Sequence, residues 1–318
     1  MSLLSEKQYV FVVGSPRSGT TWLQFLIGSH PQVASTFELT MFESYIAAWR
    51  YHWKEEREQG RISKVDRGVA FLWEEAAFEA FLREFLERCY ASVMAAKPTA
   101  DVILDKSPDN AFHIREISHF LPKARFVHIL RDGRDVVSSM VAANRSMHFG
   151  AGTTHRAGEE WVRYVRACRE AGSRPEVMPR YLEVRYEDLL RHGAETLRRV
   201  FEFLELPVTK TEIAAFLEKN AIATLRQKAV TDDKAFYPPQ HYRRGVAEGW
   251  KGDFNAMQLA TIDLVAGDVL RELGYASGEW WGTALSRPAL RAAAWLGLRL
   301  RKEALHMSYR FLNLATKF

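Results

Sequence analysis

Three features of the sequence predict an α/β fold: a three-layer, doubly wound parallel sheet with a P-loop-like phosphate-binding turn. The first is a short, continuously apolar run, Tyr9-Val10-Phe11-Val12-Val13, that ends on Gly14. This is the pattern of a strand covered on both faces. The second is a glycine-containing turn directly after that run, leading into a helix from Thr20 to Ser29. Its Trp22, Phe25 and Leu26 share one stripe, and Gly28 to Pro31 end it. The third is a set of further strand candidates at Val102–Leu104, Phe126–Leu130 and Tyr181–Arg185, each followed by polar or charged residues. In open parallel sheets ligands bind beyond that end of the strands.

With 318 residues and 47% hydrophobic composition, the chain can bury one large core. A single domain over 1–285, followed by a distinct tail over 286–318, is expected. The 44 Lys and Arg against 39 Asp and Glu give a formal charge of +5. That mild excess suits an anionic ligand or surface without calling for nucleic acid. Cys89 and Cys168 are the 2 cysteines and show no paired spacing, so a reducing, cytoplasmic setting is expected. The apolar run Tyr9 to Val13 is too short to span a bilayer and leads into a glycine loop, so neither a signal peptide nor a membrane anchor is expected.

Residues 41–98 read as a helical insertion on the acceptor side, rich in aromatic residues. Phe71, Phe78, Phe81, Phe85 and Tyr90 fall at mostly helical spacing, which is the pattern of side chains packing on a core. Part of the same segment could wall an acceptor pocket. Residues 228–248 contain Pro238-Pro239 and little periodicity, as expected of a long loop acting as a lid. In the tail, Arg287, Arg291, Arg299, Arg301, Lys302, Arg310 and Lys317 face a single acid, Glu303. Leu300, Ala304, Met307, Phe311, Leu314 and Phe318 form one apolar helical stripe among them. Such a helix suits peripheral contact with an anionic membrane, docking on the protein itself, or a second subunit of a homo-oligomer.

Gly14-Ser15-Pro16-Arg17-Ser18-Gly19-Thr20-Thr21-Trp22 comes directly after the first strand. A glycine turn at a helix N-terminus offers unpaired N–H groups and the positive end of the helix dipole, and so binds phosphate. The Gly14-x-x-x-x-Gly19 spacing matches the start of the nucleoside-triphosphate loop. The next residues are Thr20-Thr21, however, where that loop carries Lys and then Ser or Thr. Without the lysine that serves β- and γ-phosphates, the loop suits a nucleotide with one 5′-phosphate bearing another transferable group. Arg17, with the Thr20 and Thr21 hydroxyls, supplies donors for its oxygens.

These residues resemble the sulfotransferase family that uses 3′-phosphoadenosine 5′-phosphosulfate (PAPS), whose 5′-phosphosulfate loop reads Pro-Lys/Arg-Ser-Gly-Thr-Thr, as in Pro16 to Thr21. The family's 3′-phosphate motif places an Arg at a strand end and a Ser eight positions on. Phe126-Val-His-Ile-Leu-Arg131-Asp-Gly-Arg134-Asp-Val-Val-Ser-Ser139 is similar to it. The resemblance implies that Arg131 and Ser139 hold the 3′-phosphate, although Arg131-Asp132-Gly133-Arg134 read alone is also a salt-bridged turn. Tyr242-Arg243-Arg244-Gly245 with Trp250-Lys251 resembles the Arg-Lys-Gly lid of cytosolic members, which implies that Arg243, Arg244 and Gly245 close over the nucleotide. By the same resemblance Ser18 and Gly19 line the loop, Trp22 packs against adenine and Tyr186 contacts the nucleotide. Trp22 and Tyr186 are otherwise ordinary core aromatics.

The resemblance implies an enzyme that transfers a sulfuryl group from PAPS, leaving 3′-phosphoadenosine 5′-phosphate (PAP), by in-line displacement. Cations must then stabilise the charge growing on the departing phosphate. Arg17 and Lys106, the latter in Leu104-Asp105-Lys106-Ser107-Pro108, are the candidates. The acceptor hydroxyl also needs a base. Cytosolic members use a His two residues after a Lys resembling Lys106, and here Pro108 stands there. Tyrosylprotein enzymes instead carry His-Pro-Asp-Val…Glu, which His30-Pro31-Gln32-Val33 and Glu38 resemble. Glu38 is therefore the expected base, Phe37, Leu39, Met41 and Phe42 could bury it in part, and Glu43 and His113 are competing groups.

No metal-ligand spacing occurs and no metal is expected. A small-molecule or lipid-like hydroxyl, or an amine, is the expected acceptor, with no nucleic-acid partner. Two alternatives stand beside this reading. One is an ATP-dependent P-loop phosphotransferase; the other is a non-catalytic nucleotide-binding protein associated with membranes or partners.

Overall fold

Five apolar segments pair side by side, all parallel, in the order β2-β3-β1-β4-β5 among the residues the structure describes. They are β1 (Gln8–Val13), β2 (Val33–Ser35), β3 (Val102–Lys106), β4 (Arg125–Leu130) and β5 (Tyr181–Arg185). The structure, a computed structural model, describes residues 3–66, 68–148, 150–232, 237–242, 245–278, 280–282 and 286–315, with side chains through Leu300. The four strands expected from the sequence form within two residues of their expected ends. β2 is additional: three residues show no periodicity of their own, and it pairs only because β3 offers it an edge.

Helices flank both faces of the sheet. α1 (Leu3–Glu6) precedes it and α2 (Thr20–Gly28) follows β1. The insertion consists of a π-helical turn at Phe42–Ala47, then α3 (Ala48–Ser63) and α4 (Glu75–Ala95). α5 (Ile114–Phe120) joins β3 to β4, and α6 (Gly133–Met147) and α7 (Thr154–Gly172) separate β4 from β5. After β5 come α8 (Tyr186–Arg191), α9 (Gly193–Phe203), α10 (Lys210–Lys219) and α11 (Ile222–Thr231). α12 (Ala256–Glu272) and α13 (Ser286–Ala315) complete the described chain. The loop expected over 228–248 is therefore helical through Thr231.

Strand alternation sorts β1 between two cores. Tyr9, Phe11 and Val13 pack with Phe126, Phe42, Tyr90 and the insertion helices. Val10 and Val12 pack with Leu23 and Leu26 of α2, Val127, Leu197 and Phe201. That two-sided burial is why the strand reads as unbroken apolar sequence. Of the insertion aromatics, Phe78 and Tyr90 are buried, Phe71 and Phe85 pack partly against the core, and Phe81 is 38% exposed.

The chain divides into two compact units, one of residues 1–131 and 164–245, the other of 132–163 and 246–318. The first holds the sheet. In the second, Arg134 pairs with Asp132 at 2.7 Å and lies 4.3 Å over the Trp250 ring and 4.9 Å over Trp280. The salt-bridged turn read from the sequence is thus present. α12 and α13 pack on each other through Ala260, Trp281 and Ala294, and Arg291 reaches Asp263 at 3.4 Å. No helix among the described residues is long and apolar enough to cross a membrane.

Candidate active site

The loop between β1 and α2 needs glycine at both ends. Gly14 has φ +146°, and a Cβ there would fall 2.6 Å from the Ile129 carbonyl of β4. Gly19, at φ +98°, caps α2, and its Cβ would fall 2.6 Å from Cδ2 of Tyr186. Between them the Ser18 N–H donates to Ser15 O at 3.1 Å, and Arg17 takes a left-handed conformation with φ +69°. Gly19 caps α2 without a side-chain hydrogen bond to its first N–H groups, and Ser18, Thr20 and Thr21 are buried beside them. That is an anion cradle.

One aromatic and cationic group backs the loop. Tyr186, buried at the start of α8, meets Trp22 edge-on at 5.5 Å and carries the Arg131 guanidinium 4.2 Å over its ring. Arg131, just beyond β4, donates to the Arg17 carbonyl at 3.1 Å. The indole N–H of Trp22 donates to the Asn220 carbonyl at 3.0 Å. Tyr186 and Trp22 therefore hold the loop's shape from behind, and Arg131 ties β4 to it.

A second group forms where β2 and β3 end. The His30 ring contacts the Pro207 carbonyl at 3.0 Å through Nε2, and its Nδ1 accepts from the Gln32 N–H at 3.2 Å. This fixes the turn into β2 and so the position of Glu38 three residues beyond it. Lys106, the last residue of β3, is fully buried. Its Nζ pairs with Glu38 Oε1 and donates to the Tyr237 hydroxyl at 3.0 Å. The Tyr237 hydroxyl lies 3.4 Å from the same Glu38 oxygen. Glu38 itself keeps 37% of its side chain exposed, since Phe37 points outward and only Met41 and Phe42 of its flanking residues are buried.

Asp105 sits behind Lys106, hydrogen-bonded by Tyr90 and Asn110 at 3.2 Å each. Burial raises its carboxyl to about 6, with those hydrogen bonds and the Lys106 charge pulling the other way.

His241 links the two groups. Its carbonyl accepts from Arg17 Nη2 at 2.6 Å, and its Nδ1 lies 3.2 Å from Arg17 Nη1. Its Nε2 is 3.3 Å from Thr21 Oγ1, and its ring stacks on Tyr237 at 4.2 Å. Burial, followed by the charges of Arg17 and Lys106, lowers its pKa to about 3, so the ring is neutral near pH 7. Arg17 can only donate, so Nδ1 accepts and Nε2 carries the proton toward Thr21.

The structure thus brings together Arg17, Thr21, Glu38 and Lys106, and, on the β4 side, Gly19, Trp22, Arg131 and Tyr186. Ser139 lies buried on α6, in the second unit. Gly245 packs against Ile222. Arg243 and Arg244 lie outside the described residues. His113 pairs with Glu116 at 3.7 Å, and Glu43, its carboxyl raised by burial and then by Asp109, faces Asp109 and His113. Neither competing group touches Lys106 through any of these contacts. The sequence patterns do not single out Tyr237 and His241; the signal they carry is an aromatic and an imidazole four apart, just ahead of the Tyr242-Arg243-Arg244-Gly245 block.

Among the described residues no His, Cys, Asp or Glu group could hold a metal ion. A family model described as the sulfotransferase family matches residues 9–210. Protein-tyrosine sulfotransferase 1 of Danio rerio is 27% identical over 203 residues, covering 62% of this chain and 53% of the relative. The chain spans about half the length of the curated relatives it matches. Two solved structures share the fold. The sulfotransferase domain of the Synechococcus PCC 7002 olefin synthase has TM-score 0.54 at 21% identity, over 86% of this chain and 96% of that one. A mouse sulfotransferase complexed with PAP has TM-score 0.54 at 15% identity, over 86% and 92%.

Proposed function

This chain belongs to the sulfotransferase family, and we propose that it transfers the sulfuryl group of PAPS to an acceptor hydroxyl. The observation that carries the reading is the pairing of buried Lys106 with Glu38 at the strand ends, joined through Tyr237 and His241 to Arg17 and Thr21 of the phosphate loop. Cradle, cation and base are the three parts that sulfuryl transfer requires. The loop N–H groups, Arg17, Thr20 and Thr21 bind the phosphosulfate. Arg131 holds the 3′-phosphate, with Ser139, Arg243 and Arg244 as the further groups proposed for it.

In the reaction the acceptor oxygen attacks sulfur, the bond from sulfur to the 5′-phosphate oxygen breaks, and PAP departs with the electron pair. Lys106 and Arg17 stabilise the charge left on that phosphate. Glu38 takes the acceptor proton, and the ammonium beside it orients its carboxylate.

The acceptor class favoured by the relatives' names is a tyrosyl phenol. Exposed Tyr45, Tyr51, Trp73 and Phe81 of the insertion favour a second reading, a small-molecule or lipid-like hydroxyl. Incubating the chain with PAPS and a panel of tyrosyl peptides, phenols, aliphatic alcohols and glycolipids, then weighing the products for an added SO3, distinguishes them. Glu38→Gln should lower turnover by roughly 100- to 10,000-fold while PAP still binds. Phosphoryl transfer from ATP and Mg²⁺ with no response to PAPS would overturn the reading.

A further inference from the structure

Tyr237 has no role in the reaction just described, yet its hydroxyl occupies the place an acceptor would take. It is 3.0 Å from Lys106 Nζ and 3.4 Å from Glu38 Oε1. The ring is half-buried, with Phe25 at 6.4 Å on one side and His241 stacked at 4.2 Å on the other. An ammonium has three N–H donors. Glu38 and Tyr237 each take one from Lys106, and the third remains for a departing phosphate oxygen.

His241, on the same short segment, uses the opposite half of the site. Its imidazole and carbonyl engage Arg17 and Thr21, the groups proposed to receive the phosphosulfate. A hydrogen bond from guanidinium to a charged oxygen is about twice as strong as one to a neutral partner. The donor nucleotide therefore displaces the imidazole. The phenol hydroxyl is hydrogen-bonded to Lys106 and Glu38, groups that the exchange at Arg17 and Thr21 does not touch.

We propose that Tyr237 is an acceptor carried by the chain itself, its hydroxyl being sulfated in cis when PAPS binds and no external acceptor fills the site. This inference rests on the sulfuryl-transfer reading and adds a modification site to it. Tyr237 Oη attacks the sulfur of PAPS, the sulfur–oxygen bond to the 5′-phosphate breaks, and the pair of electrons leaves with PAP. The phenolic proton passes to Glu38 Oε1. The product is a tyrosine O-sulfate ester beside Lys106 and Arg17, which hold its new negative charge in place. Each chain can therefore react only once by this route.

The test is to incubate the full chain with PAPS alone and read its intact mass. A single gain of one SO3, mapped to Tyr237 and competed away by an external acceptor, is the expected result. Tyr237→Phe, which keeps the ring stack on His241, should lose the gain. Glu38→Gln should lose it while still binding PAP. His241→Ala should raise the initial rate of incorporation, because the imidazole no longer has to be displaced. No gain in mass with PAPS alone, from a chain that does turn over an external acceptor, or a gain that survives Tyr237→Phe, overturns the inference and leaves the functional reading standing. Absence of PAP binding and of transfer to any acceptor overturns both.

Discussion

Gly19→Ala tests the loop argument most directly, because its cost arises from two separate features of one position. The backbone there has φ +98°, which an L residue enters at a cost of about 1 kcal/mol. The new methyl would also lie 2.6 and 2.9 Å from two Tyr186 ring carbons and 3.3 Å from Ile129 Cδ1. The ring has little room to yield. It is 3% exposed, with Trp22 against its edge and the Arg131 guanidinium 4.2 Å over its face. Overpacking of this kind costs about 1–3 kcal/mol, so the variant should be destabilised by about 2–4 kcal/mol. Because Arg131 rests on the displaced ring, PAP affinity should fall as well. Urea unfolding and calorimetric titration with PAP read the two effects. Gly28→Ala is the control, since its Cβ would meet the nearest atom, Ser35 Cβ, at an ordinary 3.4 Å. It should be neutral or stabilising by up to about 1 kcal/mol. If Gly19→Ala unfolds with wild-type stability and binds PAP normally, Tyr186 does not fix the loop.

Lys106→Met keeps the buried stem but removes Nζ from Glu38 and Tyr237, and should cost roughly 100- to 1,000-fold in kcat for sulfuryl transfer; unchanged kcat would make the lysine purely structural. Arg131→Lys keeps the charge but loses the planar stack on Tyr186, and should weaken PAP binding by about 1–2 kcal/mol, roughly tenfold in Kd, by calorimetry. His241 is held at about 3, below its ordinary 6.5, so the unfolded or detached segment binds the proton first. Its contribution to stability is complete above pH 6.5 and is lost as pH falls toward 3. Amide exchange around residues 237–242 should accelerate over that range, and His241→Gln should flatten the change; an identical pH profile in the variant would contradict the buried, neutral ring. Asp105, held at about 6, has the opposite sign: it stabilises the fold as pH falls from 6 toward 3.8, and Asp105→Asn should remove that gain in urea midpoints measured across the interval.

What the sequence shows of this protein depends on how local each signal is. β1 is legible because burial on both faces leaves an unbroken apolar run, and β4 nearly so, its run interrupted by His128, whereas β5, Tyr-Leu-Glu-Val-Arg, is mostly half-buried and carries a weaker signal. The loop is legible because its two glycines answer to backbone requirements that no other residue meets cheaply. Lys106 and Glu38 can each be singled out, Lys106 by its strand-end position and Glu38 by the resemblance of His30-Pro31-Gln32-Val33 and Glu38 to the tyrosylprotein enzymes. Their pairing was not legible, because it joins positions 68 residues apart through a three-residue strand. Tyr237 and His241 were less accessible still. They touch Lys106 and Arg17 across separations of 131 and 224 residues, in a segment with no helical or strand period. Asp105 carries no signal of its own in the sequence; it is buried behind the site and accepts a hydrogen bond from Tyr90 of the insertion, a partner no spacing rule connects to it.

Strand order explains why groups so distant in sequence converge. β1 lies between β3 and β4, so the chain leaves the sheet centre in opposite directions on its two sides. Register places Val12 opposite both Lys106 and Val127, so the loops after β1, β3 and β4 open at one edge. Arg17 leaves on the first of these, Lys106 ends the second and Arg131 begins the third. β2 pairs with the outer side of β3 and so delivers Glu38 beside Lys106 and away from Arg131. The base and its cation thus lie on one side of the phosphate loop, and the guanidinium proposed for the 3′-phosphate on the other. Exchanging the two sides would require a different strand order, so this separation of acceptor chemistry from nucleotide binding is a property of the topology that the side chains then use.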